Sequence, residues 1–164
     1  MIANPFLMLF FLVILLGCSA FFSGSETALM SISKLRLKNL EKTHPGKVKI
    51  IERVLHNPEK LIGTILLGNN LVNVAMSALA TTLALSVWGE KGIVYVTLFL
   101  TFAILIFAEI TPKVYAKYFH EKVSLHSAPI LRFFMIIFRP LVEGVTVIST
   151  KLLFLIGVDV KKIK

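Results

Sequence analysis

Charge is scarce in this chain, and negative charge is scarcest. Only 16% of its 164 residues are charged, with 9 Asp and Glu against 18 Lys and Arg. Soluble domains carry about 25% charged residues, so an ordinary water-facing domain is excluded. A single cysteine, Cys18, excludes an intrachain disulfide and a thiolate zinc site. The four histidines, His44, His56, His120 and His126, lack metal-ligand spacing. No nucleophile–base pair, phosphate loop or redox motif is present, so no enzyme is expected. No internal repeat or low-complexity tract occurs. What the chain has is apolar sequence: 56% hydrophobic residues and a mean hydropathy of +0.83. The expected fold is therefore all-α and integral to a membrane. The net charge of +9 reads as cytoplasmic flanks of membrane helices, because the charges sit in loops. No nucleic-acid partner is expected.

Three apolar segments are long enough to cross a hydrocarbon core of about 30 Å. They are expected at about residues 5–30, 61–87 and 92–113. No basic residue precedes the first, and it is too long for a cleaved signal peptide. The stretch 31–60 is a basic loop containing Lys34, Arg36, Lys38, Lys42, Lys47, Lys49, Arg53 and Lys60. Short helices are expected in it, broken at His44-Pro45-Gly46 and Asn57-Pro58. Between the second and third segments lies only Lys91, in the turn Trp88 to Gly92. The positive-inside rule places the N-terminus outside and the basic loop in the cytoplasm. The last stretch, 124–157, is interrupted by Arg132, Arg139-Pro140, Glu143 and Lys151. A full span would put Lys161, Lys162 and Lys164 outside, so a belt-like juxtamembrane helix is preferred, bent at Arg139-Pro140.

Each spanning segment carries polar residues. Glu109 is the most telling, because an ionisable group at membrane depth costs about 2.5–3.5 kcal/mol or more. It persists there when it faces a partner, an ion or water. Pro112 has no N–H and clashes with the carbonyl of Ala108, so a carboxylate and a freed carbonyl lie side by side. Both are hard oxygen ligands of the kind magnesium and calcium take. Lys113, at i+4, is the competing partner for Glu109, or a snorkelling end residue. The first segment contributes Ser19, Ser23 and Ser25. Gly24 lets another backbone approach, or breaks the helix and exposes carbonyls near Ser23. The second contributes Asn69, Asn70 and Asn73. Ser19 shares a face with Ser23, as Asn69 does with Asn73 and Asn70 with Asn73. Serine and asparagine in membrane helices also serve as packing and interhelical glue. Together these groups make up the donor set of a dehydrated hard-cation cage.

Phe22-Ser-Gly-Ser-Glu-Thr-Ala28, Leu67-Gly-Asn-Asn-Leu-Val-Asn73 and Ala108-Glu-Ile-Thr-Pro-Lys113 resemble the signature segments of the CNNM/CorC family of magnesium transporters. The membrane part of that family is the DUF21 domain, and the resemblance covers nearly the whole chain, 1–164. It implies a homodimer in the plasma membrane, with three spanning helices and a belt-like helix per subunit. It implies magnesium export, with sodium as the coupling ion. Carried over by residue, Ser23 supplies hydroxyl oxygen, Asn70 and Asn73 amide oxygens, Ala108 its carbonyl and Glu109 the carboxylate. Ser19, Ser25, Asn69 and Pro112 are secondary candidates. The family pattern has glycine where Ala108 stands, which weakens the Ala108 assignment. Members typically continue into cytosolic paired CBS modules that bind nucleotide. The chain stops soon after Lys162, as a membrane-domain fragment does, so nucleotide regulation is expected to be missing. The other expectation is a membrane scaffold or sensor dimer that binds magnesium and regulates a separate transporter. A pore-forming toxin is weaker still, because the chain is hydrophobic from its first residues.

Overall fold

A computed structural model describes residues 4–156, and in it the described chain is helical with short connections. Helix α1 spans Pro5–Ser31, α2 Lys34–Glu41, α3 Pro45–Leu55 and α4 Pro58–Trp88. Helix α5, Glu90–Ala103, runs through a π-helical segment, Ile104–Ile110, into α6, Thr111–Tyr118. Helices α7, His120–Ile137, and α8, Arg139–Leu155, follow. Three helices are long and apolar enough to cross a membrane: α1, α4 and the continuous Glu90–Tyr118. Neither α7 nor α8 is among them. The fold is thus an all-α membrane architecture. Lys161, Lys162 and Lys164, on which the charge argument for the last stretch rested, lie outside the described residues, as does Gly157.

Local sequence explains the helix ends. Proline stands at the first turn of α1, α3 and α4, where its missing N–H costs nothing and its φ is already helical. Asn4 caps α1 by accepting from the Phe6 N–H at 3.0 Å. Ser33 does the same for α2, accepting from Arg36 N–H at 3.3 Å. Because these prolines start helices outside the apolar stretch, α4 begins before the apolar run read from sequence. The α4–α5 turn is tighter than the expected Trp88 to Gly92. It consists of Gly89 alone, with φ of +66°, which only glycine adopts without strain. Gly92 then packs under Trp88, where a Cβ would lie 2.6 Å from the Trp88 Cβ. The last stretch breaks at Phe138, directly before Arg139-Pro140. It therefore forms two helices rather than one belt.

At Gly24 and Pro112 the helices stay continuous. Helix α1 runs unbroken through Gly24. The glycine instead permits close approach: a Cβ there would sit 3.4 Å from both the Cβ and the carbonyl oxygen of Pro112. Pro112 does not break the third span either. The helix widens into the π segment just before it, with Thr111 N–H donating to the carbonyl of Ile106, five residues back. A π turn moves the preceding carbonyls away from the proline ring, so the clash is relieved without a kink.

Most burial lies at the basic end. Phe22 and Leu29 of α1, Leu37 of α2, and Val48, Ile51 and Val54 of α3 join Leu61 and Ile65 of α4 in one core. Helix α7 closes it with Leu125, Ala128 and Leu131, the i, i+3 and i+6 positions of one helical face. Arg36 bonds Glu121 at 3.1 Å, tying α2 to the start of α7. At the α8 end, Glu143 receives Lys60 and Arg139, each at 2.9 Å. These hydrogen bonds, from Lys60 first and Arg139 next, hold the Glu143 carboxyl below the usual glutamate range. Val142 beside them presses on Gly63, where a Cβ would come within 2.8 Å of its Cγ1. By contrast, the third span has only 6% of its apolar window buried, leaving nearly its whole surface for lipid or another chain.

Candidate metal centre

Helix α1 is the axis of the candidate site. On one side, Phe22 reaches α4 so closely that a Cβ on Gly68 would lie 2.5 Å from the ring. One turn away, the Ser19 hydroxyl, fully buried, lies 2.7 Å from Asn69 Oδ1 and 2.9 Å from Asn73 Oδ1. A hydroxyl has one proton, so it donates to one of these oxygens at a time. On the other side, Gly24 meets Pro112. Ser23 lies between these contacts, 2% exposed, and its Oγ has no hydrogen-bond partner among the described residues.

The third span brings Ala108 and Glu109 on the π segment. Ala108 is fully buried. Pro112 has no N–H to return to the carbonyl four or five residues back, which is Ala108 or Phe107. The π register thus adds Phe107 as a source of free carbonyl oxygen, which the α-helical count had not included. Glu109 is half-buried, and its Oε2 lies 3.8 Å from Lys113 Nζ. That is an ion pair beyond hydrogen-bond reach, so it leaves the carboxylate lone pairs available. Asn70 is exposed and makes no hydrogen bond among the described residues.

The sequence-derived candidates therefore fall into three sets. Ser19, Asn69 and Asn73 form one closed network. Pro112 packs on Gly24, the residue after Ser23, and Ala108 is buried on the π segment that leads into Pro112. Asn70 and Glu109 are partly or fully exposed, and neither contacts the other sets through a hydrogen bond. Among the described residues no group of three His, Cys, Asp or Glu side chains is arranged to hold a metal. What remains is one carboxylate with neutral oxygens, suited to a hard cation rather than to zinc or copper. Sequence reasoning missed Ser124 and Ser127 of α7, buried and without partners. With Ala128 and Leu131 they follow i, i+3, i+4 and i+7, the spacing that could have revealed α7's packing face.

The model of the cyclin M transmembrane N-terminal domain matches residues 10–164. This chain belongs to the CNNM family. The CNNM domain here is 39% identical over 140 residues to the UPF0053 inner membrane protein YfjD of Escherichia coli, covering 85% of this chain and 33% of the relative. It is 41% identical over 146 residues to a UPF0053 protein of Haemophilus influenzae, covering 89% and 35%. Similarity extends to the metal transporter cnnm-4 of Caenorhabditis elegans, at 32% over 130 residues, covering 76% and 27%. The chain spans about a third of the length of the first two of these relatives. Family and architecture together show a membrane domain of the CNNM type.

Proposed function

We propose that this domain exports magnesium across the plasma membrane as a homodimer, coupled to sodium entry, with its N-terminus outside and its C-terminal end in the cytoplasm. The observation that carries the site is the buried, unpartnered Ser23 hydroxyl. It sits between the α4 glycine–asparagine stretch and the proline-relieved π segment. Magnesium gives up its water reluctantly, so a carrier must offer several oxygens and at least one negative charge. Ser23, the Ala108 carbonyl, Asn70, Asn73 and Glu109 supply that set from one chain, giving one ion per subunit. Asn73 must leave Ser19, and Glu109 must turn from Lys113, for all five to meet. Loading of the ion is therefore a rearrangement of existing pairs rather than occupation of a finished cage. The basic stretch Lys34 to Lys60 supports the orientation.

Calorimetry on the purified dimer tests the site. Glu109→Gln and Asn70→Ala are each expected to abolish magnesium binding while the dimer stays folded. Unchanged affinity in both would refute the cage. Magnesium flux in liposomes, with and without a sodium gradient, tests transport. Binding without flux would favour a magnesium-sensing scaffold. Labelling of a cysteine at Lys42 from outside the cell would overturn the orientation.

A further inference from the structure

A cavity of about 510 Å³ opens between α1, α6 and α7, on the far side of the Gly24–Pro112 contact from the closed Ser19 network. Ser25 and Ser127 line it, and they are 1% and 2% exposed. Neither hydroxyl has a hydrogen-bond partner among the described residues. Several other helical hydroxyls in this chain return their proton to the carbonyl four residues back. Thr64 does so to Lys60 at 2.7 Å, and Ser77 to Asn73 at 3.0 Å. Ser25 and Ser127 are therefore two unused polar groups in the cavity wall, their oxygens almost wholly covered, so each hydroxyl must turn toward the cavity to meet a ligand.

The lining is graded. Lys122, Val123 and His126 come first along α7, then Ser127, then Ile130, a progression from a mainly polar to an apolar end over roughly 12 Å of helix. On α1 it runs from Ser25 through Gly24 to Phe21 and Ala20. Glu121 is tied to Arg36 of α2, whereas Phe134 stacks on Phe22 with ring centroids 5.3 Å apart. Moving along α7 from Glu121 to Phe134 thus leads from the basic end into the apolar interior. Lys122 is exposed and makes no ion pair among the described residues. His126 Nδ1 lies 2.7 Å from the Lys122 carbonyl and donates to it, so Nε2 is open to another group and donates to a phosphate oxygen when the ring carries both protons.

A graded pocket of this kind matches an amphiphile with a negative head, oxygen atoms at its waist and apolar tails. We infer that the cavity is a binding site for an anionic glycerophospholipid. Its phosphate lies at Lys122 and His126, its ester oxygens accept from Ser25 and Ser127 once these hydroxyls turn toward the cavity, and its chains lie along Phe21 and Ile130. Free phosphate shares the head chemistry but would leave the apolar wall wet. This inference rests on the membrane architecture alone and stands apart from magnesium transport.

The test is native mass spectrometry of the full chain in mild detergent, titrated with phosphatidylglycerol, phosphatidylcholine or inorganic phosphate. Phosphatidylglycerol is expected to be retained in preference to phosphatidylcholine, and excess phosphate is expected not to displace it. Lys122→Glu should lower its retention on the order of tenfold, since one basic residue alone accounts for about fivefold. The Ser25→Ala, Ser127→Ala double variant, which removes only unpartnered hydroxyls and so keeps the packing, should lower it several-fold. Equal retention of both lipids, displacement by phosphate, or retention unchanged in either variant would overturn the assignment.

Discussion

The Ser19 hydroxyl of α1 is met by Asn69 and Asn73 of α4 at 2.7 and 2.9 Å; the hydroxyls of Ser23 and Ser25 on the same helix, and of Ser124 and Ser127 on α7, meet no partner among the described residues. All five serines are buried to 2% exposure or less. One helix therefore uses the same residue type for different ends. Where the hydroxyl is paired, it holds helices together. Where it is not, the fold carries a desolvation cost of about 1–3 kcal/mol per group, which a bound oxygen-bearing or cationic ligand can relieve. The paired hydroxyl is structural, and the unpaired ones are where ligands are to be sought.

The comparison can be broken hardest at the contact beneath the paired hydroxyl. Gly68→Ala places a methyl group against the Phe22 ring, which is itself packed on Phe21 and Phe134. It is expected to destabilise the domain by about 1–3 kcal/mol in thermal unfolding. Gly17→Ala, with nothing within 4 Å of the added Cβ, should be neutral or stabilise by up to about 1 kcal/mol. An equal loss at both positions would show that the α1–α4 approach is not tight.

Serine substitutions sharpen the contrast directly. Ser19→Ala removes a paired hydroxyl and strands an amide, so a loss of about 1 kcal/mol is expected by reversible unfolding in micelles. Ser124→Ala removes a hydroxyl with no partner, so stability should stay level or rise slightly. If both cost the same, pairing does not distinguish these hydroxyls.

The smallest effect concerns the polar end. Glu143 has a lowered native pKa, caused by Lys60 and then Arg139. Its small contribution is therefore whole above the usual glutamate range and fades as pH falls through the lowered native value. Both partners are exposed, and salt should weaken the effect. A melting curve that is independent of pH in the acidic range, and identical for Glu143→Gln, would remove Glu143 from the account.

Much of the helix pattern was legible because its causes are local. Pro45, Pro58 and Pro140 mark helix starts, Gly89 marks the turn, and three long apolar runs mark the crossings. The candidate residues were legible because polar groups are costly among apolar ones. Their pairing was not. Asn69 and Asn73 share a helical face by spacing, but only the position of Ser19 across the α1–α4 contact makes them partners. Asn70 lies one residue from Asn69 and is left exposed. Gly24 was open to two readings, a break or a close approach, and the arrival of Pro112 selected the second.

Sequence by itself determined that this chain is a set of apolar helices with a basic end, and which few side chains carry chemistry. Hydropathy and proline geometry act within one segment and need no neighbour. Tertiary structure decided which hydroxyls are paired and which are left open, and that the strain at Pro112 is absorbed as a π turn beside Glu109. Those outcomes depend on how far apart two helices sit. That distance is set by contacts such as Gly68 on Phe22 and Gly24 on Pro112, between residues far apart in the chain.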